Sequence, residues 1–284
     1  MLYNTRLCHS ATYQTFVASS RHSSLDPELI AVYDNSPIPQ VNPLEETHLL
    51  AYKHDPDNSG LAAAYNWALE IAESHGFSWL LLLDQDTSLP LEFLGTSLMR
   101  IRQDESHAPV AALVPVVRSG GVVVSPLRVG LFGPRSLPPS KSGIQNIEIM
   151  AINSGAIVRC AFLRMIGGFN RAYWLDYLDH WLFHRIYVSG RRVSVSQCLL
   201  DHNLSVQDYV HGVSAARYRS ILSGEARFMA TCKSRIEVPV YLLRLLFRSI
   251  RMFILGRSDI ARLTISMILA ISINPTRKLW GSSE

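Results

Sequence analysis

Along the first 120 positions, short apolar blocks alternate with stretches of helical periodicity. Leu29–Tyr33 (LIAVY) and Trp79–Leu83 (WLLLL) read as strands. Between them, Leu61, Ala64, Tyr65, Ala68, Leu69 and Ala72 recur at helical spacing within Ser59–His75, and the preceding polar NSG offers capping groups. This strand, helix, strand order predicts an α/β fold with a mainly parallel sheet flanked by helices. Further along, the pattern predicts a helix over 91–102, a buried strand over 110–117 and a hairpin at Gly120 and Gly121. Residues 132–146, rich in Pro, Ser, Gly and Lys, read as a surface loop with a substrate lid as one use. A helix is expected over 172–188, stopped by Gly190, and strand character returns in RRVSVSQCLLDH, which ends at His202.

From Val213 onward the pattern is helical throughout, punctuated by Pro239 and Gly256. The chain therefore divides into an α/β domain over 1–212 and a helical, basic region over 213–284. In VYLLRLLFRSIRMFIL (240–255), Arg244, Arg248 and Arg251 fall on one face and the rest is apolar, the pattern of an interfacial helix. The run Leu263–Ile273 is shorter than the roughly 20 residues a bilayer crossing needs.

Composition narrows the picture. With 284 residues, 48% hydrophobic and 18% charged, the chain can bury a sizeable core, and disorder is not expected. The net charge of +4 is concentrated at one end: residues 225–284 hold ten Lys/Arg against four Asp/Glu. That gradient suits an acidic surface, and because Arg alternates with Leu, Ile and Phe without a recognition motif, lipid is expected and nucleic acid is not. Cys8, Cys160, Cys198 and Cys232 are scattered, which predicts neither a zinc site nor a disulfide framework and fits a reducing cytosol. The opening MLYNTRLCHS lacks the pattern of an export signal.

Several polar groups interrupt this apolar frame at strand ends, where open α/β sheets bind ligands. In LLLLDQDTSLP, Asp84 and Asp86 flank Gln85; an extended chain there would aim both acids one way, toward a hard divalent cation. The same residues also read as a turn capping the helix near Pro90. VYDNSP places Asp34 after a strand, either in an Asx-turn or in a binding site. DNSGLAAAYN opens a helix whose free N–H groups could meet a diphosphate. Asp176 and Asp179 stand three apart among Trp174 and Trp181, a setting that suits a cleft base. His202 ends a strand, as a structural residue or as a metal ligand.

Taken in order, DNSP, NSGLAAAYN, LLLLDQDTSLP, INSGAIVR, IGGFN, LDYLDHWLFHR and LDH resemble the family-two glycosyltransferases of the GT-A fold, in their bacterial rhamnosyltransferase-like branch, over roughly residues 1–220. The resemblance implies an inverting, metal-dependent transfer of rhamnose or a related hexose from a nucleotide-diphosphate sugar to a glycan or lipid-linked acceptor in cell-surface polysaccharide synthesis. It implies that Asp84, Asp86 and His202 hold Mg2+ or Mn2+, that Asp179 is the base, and that Asp34 reads the nucleotide base. Asn58, Gly60 and Asn66 would lie along the nucleotide, and Asn153, Ser154 and Gly155 along the sugar or acceptor, with Asp176 and Trp181 also lining the substrate. Such enzymes often work on lipid-linked acceptors at the inner face of the membrane, which implies a cytoplasmic, peripheral location with the C-terminal helices against the membrane. Members also open on a strand of which only Met1 and Leu2 have counterparts, so the sheet is expected to lack most of its first strand. A sugar-binding or nucleotide-sugar-binding homologue with impaired catalysis is the alternative that follows from that departure.

Overall fold

The structure, a computed structural model, describes residues 1–25, 29–40, 50–104, 109–130, 133–137, 142–202 and 213–273. Among them the chain runs α1 (Ala11–Ser23), β1 (Ile30–Asp34), β2 (Leu50–His54), α2 (Leu61–Ser74), β3 (Trp79–Leu81), β4 (Thr87–Ser88), α3 (Phe93–Asp104) and β5 (Val110–Ser119). It continues through β6 (Val122–Ser125), β7 (Leu127–Arg128), β8 (Arg135–Ser136), β9 (Gly143–Gln145), β10 (Ile149–Met150), β11 (Ile157–Arg159), α4 (Cys160–Met165), α5 (Leu178–Val188) and β12 (Arg192–His202). Three helices close it: α6 (Ala215–Cys232), α7 (Glu237–Ile254) and α8 (Ser258–Ile273). Two compact units result, one of residues 1–129 with 134–203 and one of 130–133 with 204–284.

The first unit is the expected α/β fold. Its main sheet has the order β3-β11-β5-β12-β4, with β6 on β5 and β9 on β12. The long pairings, β5 with β12 and β1 with β2, are parallel, and the short strands add antiparallel edges. β5 lies between β11 and β12, and its residues Val110–Val117 are all buried, which is why this strand is apolar at every position rather than at alternate ones. Pro115 has no N–H to give such a ladder. β12 accommodates it by shifting register between Val195 and Leu199, so a bulge lies where the proline needs no partner. α3 closes one face through Ile101, which packs with Leu113 and Ile157, and through Phe93, which packs with Leu89, Val117, Cys198 and Leu200.

Two sequence expectations shift here. The helix expected from Ala172 begins at Leu178, because residues before it are held by contacts to α2 described below. The loop expected over 132–146 contributes two short strands, β8 on β7 and β9 on β12; the lid reading also involves 138–141, which lie outside the described residues.

Met1 and Leu2 lie between β1 and the run that follows β3. Leu2 bridges Asp34 in parallel, donating its N–H to Tyr33 O (2.8 Å) and accepting from Asn35 N (2.9 Å), while the Met1 amine donates to Leu83 O (3.0 Å). A cavity of about 380 Å³ lies beside them, between β1 and β3.

In the second unit, α6, α7 and α8 bury Tyr218, Leu245, Ile260 and Thr264. Arg248 turns inward to make two hydrogen bonds to the buried Glu225 (2.7 and 2.9 Å). This corrects the expectation of a three-arginine solvent face: Arg248 is committed to an internal ion pair, and Arg244 and Arg251 remain exposed. Among the described residues no helix is long and apolar enough to cross a membrane.

Candidate active site

The carboxyl end of β3 carries the Asp84–Gln85–Asp86 segment, and its shape comes from three polar anchors. Ser154 accepts from Asp84 N (3.0 Å), Thr12 donates to Asp84 O, and Ser10 donates to Gln85 O (2.8 Å). The chain turns at Gln85 and Asp86 instead of staying extended, which corrects the geometry expected for the two acids. Asp86 is exposed at the turn and Asp84 half-buried beneath it. β4 follows at once and pairs antiparallel with the end of β12, with His202 directly across from Thr87. The His202 side chain itself lies outside the described residues.

Below the turn is a residue that periodicity alone assigned to the core of α2. The Tyr65 hydroxyl donates to Asp84 Oδ1 (3.3 Å), and its pKa is raised well above the usual value by burial, then by the Asp84 charge and hydrogen bond, then by the Asp179 charge. Two acids 95 positions apart in sequence therefore bear on one buried phenol.

Asp179 opens α5, with its side chain 24% exposed. Burial alone would raise its pKa; the adjacent His180, through its charge and its hydrogen bonds, reverses this and leaves the carboxylate below its usual range. His180 Nδ1 lies 2.8 Å from Asp179 Oδ1, and the ring stacks on Tyr177 at 4.3 Å between centroids. Tyr177 holds a left-handed backbone (φ 67°), a cost that tertiary contacts must offset. Asp176, half-buried, precedes it, and Trp181 turns inward at 8% exposure.

The start of α2 behaves differently from a free anion cradle. Leu61 N donates to Trp174 O (2.7 Å), and Trp174 Nε1 donates to Asn58 O (2.7 Å). A Cβ on Gly60, whose φ is +88°, would lie 2.3 Å from Trp174 O, so only glycine fits. Asn66 spends its amide on both backbone groups of Phe169, accepting from its N (2.8 Å) and donating to its O (2.8 Å). The sequence reading of a capped helix start is thus replaced by a clamp between α2 and residues 168–174, and this clamp is what keeps 172–177 out of α5.

At the end of β1, Asp34 is fully buried and accepts from Ser36 N (3.0 Å), Tyr52 Oη (2.7 Å) and Gln40 Nε2 (3.3 Å). Burial pushes its pKa up, but these donors outweigh it and hold the carboxyl ionised below its usual range. Beside it, Asn35 is 1% exposed and neither atom of its amide has a partner among the described residues; the same holds for Asn153 Oδ1. Buried amides left this way are costly until water or a ligand meets them, and strand ends are where open α/β sheets bind ligands. In the sequence, Asn35 stands beside Asp34 in VYDNSP, where an Asx-turn and a binding site are both open readings. Ser154 and Gly155 serve the scaffold: Ser154 braces Asp84 and Thr87, and a Cβ on Gly155 (φ +83°) would lie 2.7 Å from Leu200.

The profile of "Glycosyl transferase family 2" matches residues 4–164. The chain belongs to that family. Among solved structures, this family 2 transferase is similar to the "Crystal structure of S. aureus TarS 1-349", with TM-score 0.47 and 12% identity, over 95% of this chain and 90% of that one. No curated protein matches it. The family match spans Asp34, Asp84, Asp86 and Asn153 and stops before Asp179 and His202.

Proposed function

We propose that this glycosyltransferase moves rhamnose or a related hexose, with inversion, from a nucleotide-diphosphate sugar to a glycan or lipid-linked acceptor in cell-surface polysaccharide synthesis. One observation carries the reading: Asp84 and Asp179 both act on the Tyr65 hydroxyl, so the proposed donor-side acid and the proposed base belong to one locality. Asp179, ionised and half-exposed at the start of α5, suits a base that takes the acceptor proton. In the displacement the acceptor oxygen forms a bond to the anomeric carbon, its proton passes to Asp179, and the bond to the diphosphate oxygen breaks.

The donor set also fits a divalent cation. Among the described residues no cluster of three His, Cys, Asp or Glu side chains stands ready to hold a metal. Mg2+ commonly uses one or two carboxylates together with substrate phosphates, and Asp84 and Asp86 supply that number of hard oxygen donors at one turn, with the His202 backbone beside Thr87. Bound there, Mg2+ or Mn2+ would neutralise charge developing on the leaving diphosphate. Asn35 and Asn153 would turn their buried amides to the donor, and Asp34 would read the nucleotide base.

Membrane contact at the cytoplasmic face is the matching reading of the second unit. On α7, Leu243, Leu246, Phe247, Ile250, Phe253 and Ile254 are all exposed and lie along one stripe, with Arg244 and Arg251 at its margin. An apolar stripe edged by cations combines burial with attraction to anionic lipid.

The deciding experiment incubates the full chain with a panel of nucleotide sugars, with and without Mn2+, and reads thermal stabilisation and then sugar transfer. One donor should stabilise the protein only with metal. Asp179→Asn should retain that stabilisation and lose about 10²-fold or more in turnover. Stabilisation by no donor, or an unimpaired Asp179→Asn, defeats the reading.

A further inference from the structure

The first turn of α5 treats the two carboxylate oxygens of Asp179 unequally. N–H groups in a helix's first turn have no partner within the helix. One of them, His180 N, donates to Asp179 Oδ1 (2.8 Å), and His180 Nδ1 lies 2.8 Å from the same oxygen. An ionised carboxylate only accepts, so the second contact calls for a proton on Nδ1. Among the described residues, the hydrogen bonds of the Asp179 side chain thus fall on Oδ1, and Oδ2 takes no part in them.

The His180 ring is itself held in place. It stacks on Tyr177 with the two planes 28° apart. Tyr177 reaches that position through its left-handed backbone, and its carbonyl accepts from Trp181 N (3.0 Å), which starts the helix. A non-glycine residue keeps such a conformation where its surroundings over-determine it, and such places cluster at functional sites. One turn along the same face of α5, His184 Nδ1 lies 2.7 Å from Glu148 Oε1, just ahead of β10. That pair ties the helix down without His180, so the bond from His180 Nδ1 serves the Asp179 side chain rather than the helix.

We propose that His180 is a positioning residue, whose Nδ1–H and backbone N–H fix Asp179 Oδ1 so that Oδ2 is the atom that receives the acceptor proton. The inference rests on the reading of Asp179 as the base. In the displacement the acceptor O–H bond breaks as Oδ2–H forms, and the acceptor oxygen bonds the anomeric carbon. The electron pair of the broken bond leaves with the diphosphate, and Oδ1 keeps both of its donors throughout. The last torsion of an aspartate is broad, so a carboxylate without the Nδ1–H turns more freely and the reacting atoms lose alignment. Tyr65 of α2 lies within reach of the Asp179 charge, with Asp84 bonded to it, and Tyr177 lies under His180. None of these three supplies a positive charge, so loss of the His180 donor moves the Asp179 pKa up.

The test has two arms on the full chain. Histidine 15N NMR at pH 8 needs no substrate, and the His180 signals are assigned by their loss in His180→Asn. They should show Nδ1 protonated and should move in Asp179→Asn; a bare Nδ1 overturns the proposal. The second arm is sugar transfer. His180→Phe keeps a ring to stack but not the donor: kcat should fall about 10-fold with the donor KM unchanged, and the acid limb of the kcat–pH profile should move up by about one unit. His180→Asn, whose Nδ2–H stands in for Nδ1–H, should recover kcat to within about threefold of the parent. A loss that His180→Asn shares in full with His180→Phe assigns the ring a packing role and overturns the proposal. Asp179→Asn separates the two levels of the reading. If it is impaired while His180→Phe matches the parent, the positioning role falls and the base stands; if it is unimpaired, both fall.

Discussion

Two strand regions of the first unit make a controlled comparison: β5 with β12 inside the seven-stranded sheet, and β1 with β3, which belong to different sheets. β5 and β12 are paired over most of their length, β5 is buried on both faces over Val110–Val117, and even the awkward Pro115 is matched by a bulge. β1 and β3 have the same apolar character, yet among the described residues each has one paired edge, with only Met1 and Leu2 reaching the other. Hydrophobic side chains are present in both places. What differs is whether backbone groups and side chains have something to meet, and sheet stability depends on that more than on composition.

Mutations on the two sides should break or sharpen this contrast. The largest effect is expected for Leu200→Ala, which empties a fully buried site packed against Leu89, Phe93, Val117 and Cys198; denaturant unfolding should show a loss of about 3 kcal/mol. Gly155→Ala comes next, at about 2 kcal/mol, because the backbone there is left-handed and the added methyl meets Leu200 and Pro115. Val32→Ala should cost only about 1 kcal/mol by the same measurement, since its surroundings already include a cavity and little packing is lost. A Val32→Ala loss as large as that of Leu200→Ala would show that the β1 side is as tightly packed as the centre.

The smallest effect is a pH dependence. Because burial lowers the Met1 amine below its ordinary value near 8.0, the native state binds fewer protons than the unfolded chain between its own pKa and about pH 8. Unfolding free energy should therefore rise with pH through that window and level off above it. Thermal midpoints from pH 6 to 9 check this, and acetylating the terminal amine should flatten the profile. A profile that falls across the window would place the amine in an environment that favours its charge.

Much of the architecture was legible in the sequence because it follows from periodicity. The α2 helix, the Val110–Val117 strand, the Gly120–Gly121 hairpin and the three C-terminal helices all lie close to where their patterns put them. Candidate chemistry was legible as residue types at strand ends, and the family match covers the motifs from Asp34 to Asn153. Side-chain commitments were not legible. Asn66 and Gly60 stand in the sequence as candidate ligand residues, and nothing in the letters shows that they also make the clamp to residues 168–174. Tyr65 looks like core, but its hydroxyl joins Asp84 to the field of Asp179. Arg248 looks like a surface cation and is spent on Glu225.

The sequence by itself determined which segments are helix or strand and which acids stand at strand ends, because hydrophobic periodicity and turn chemistry act over a few residues. Only the tertiary structure decided which of those polar groups are consumed as scaffold, that Tyr65 bonds Asp84, and where the gap between β1 and β3 lies. Those outcomes depend on contacts between residues 19 to 116 positions apart, such as Tyr65 with Asp84 and Asn58 with Trp174, and no local pattern encodes them.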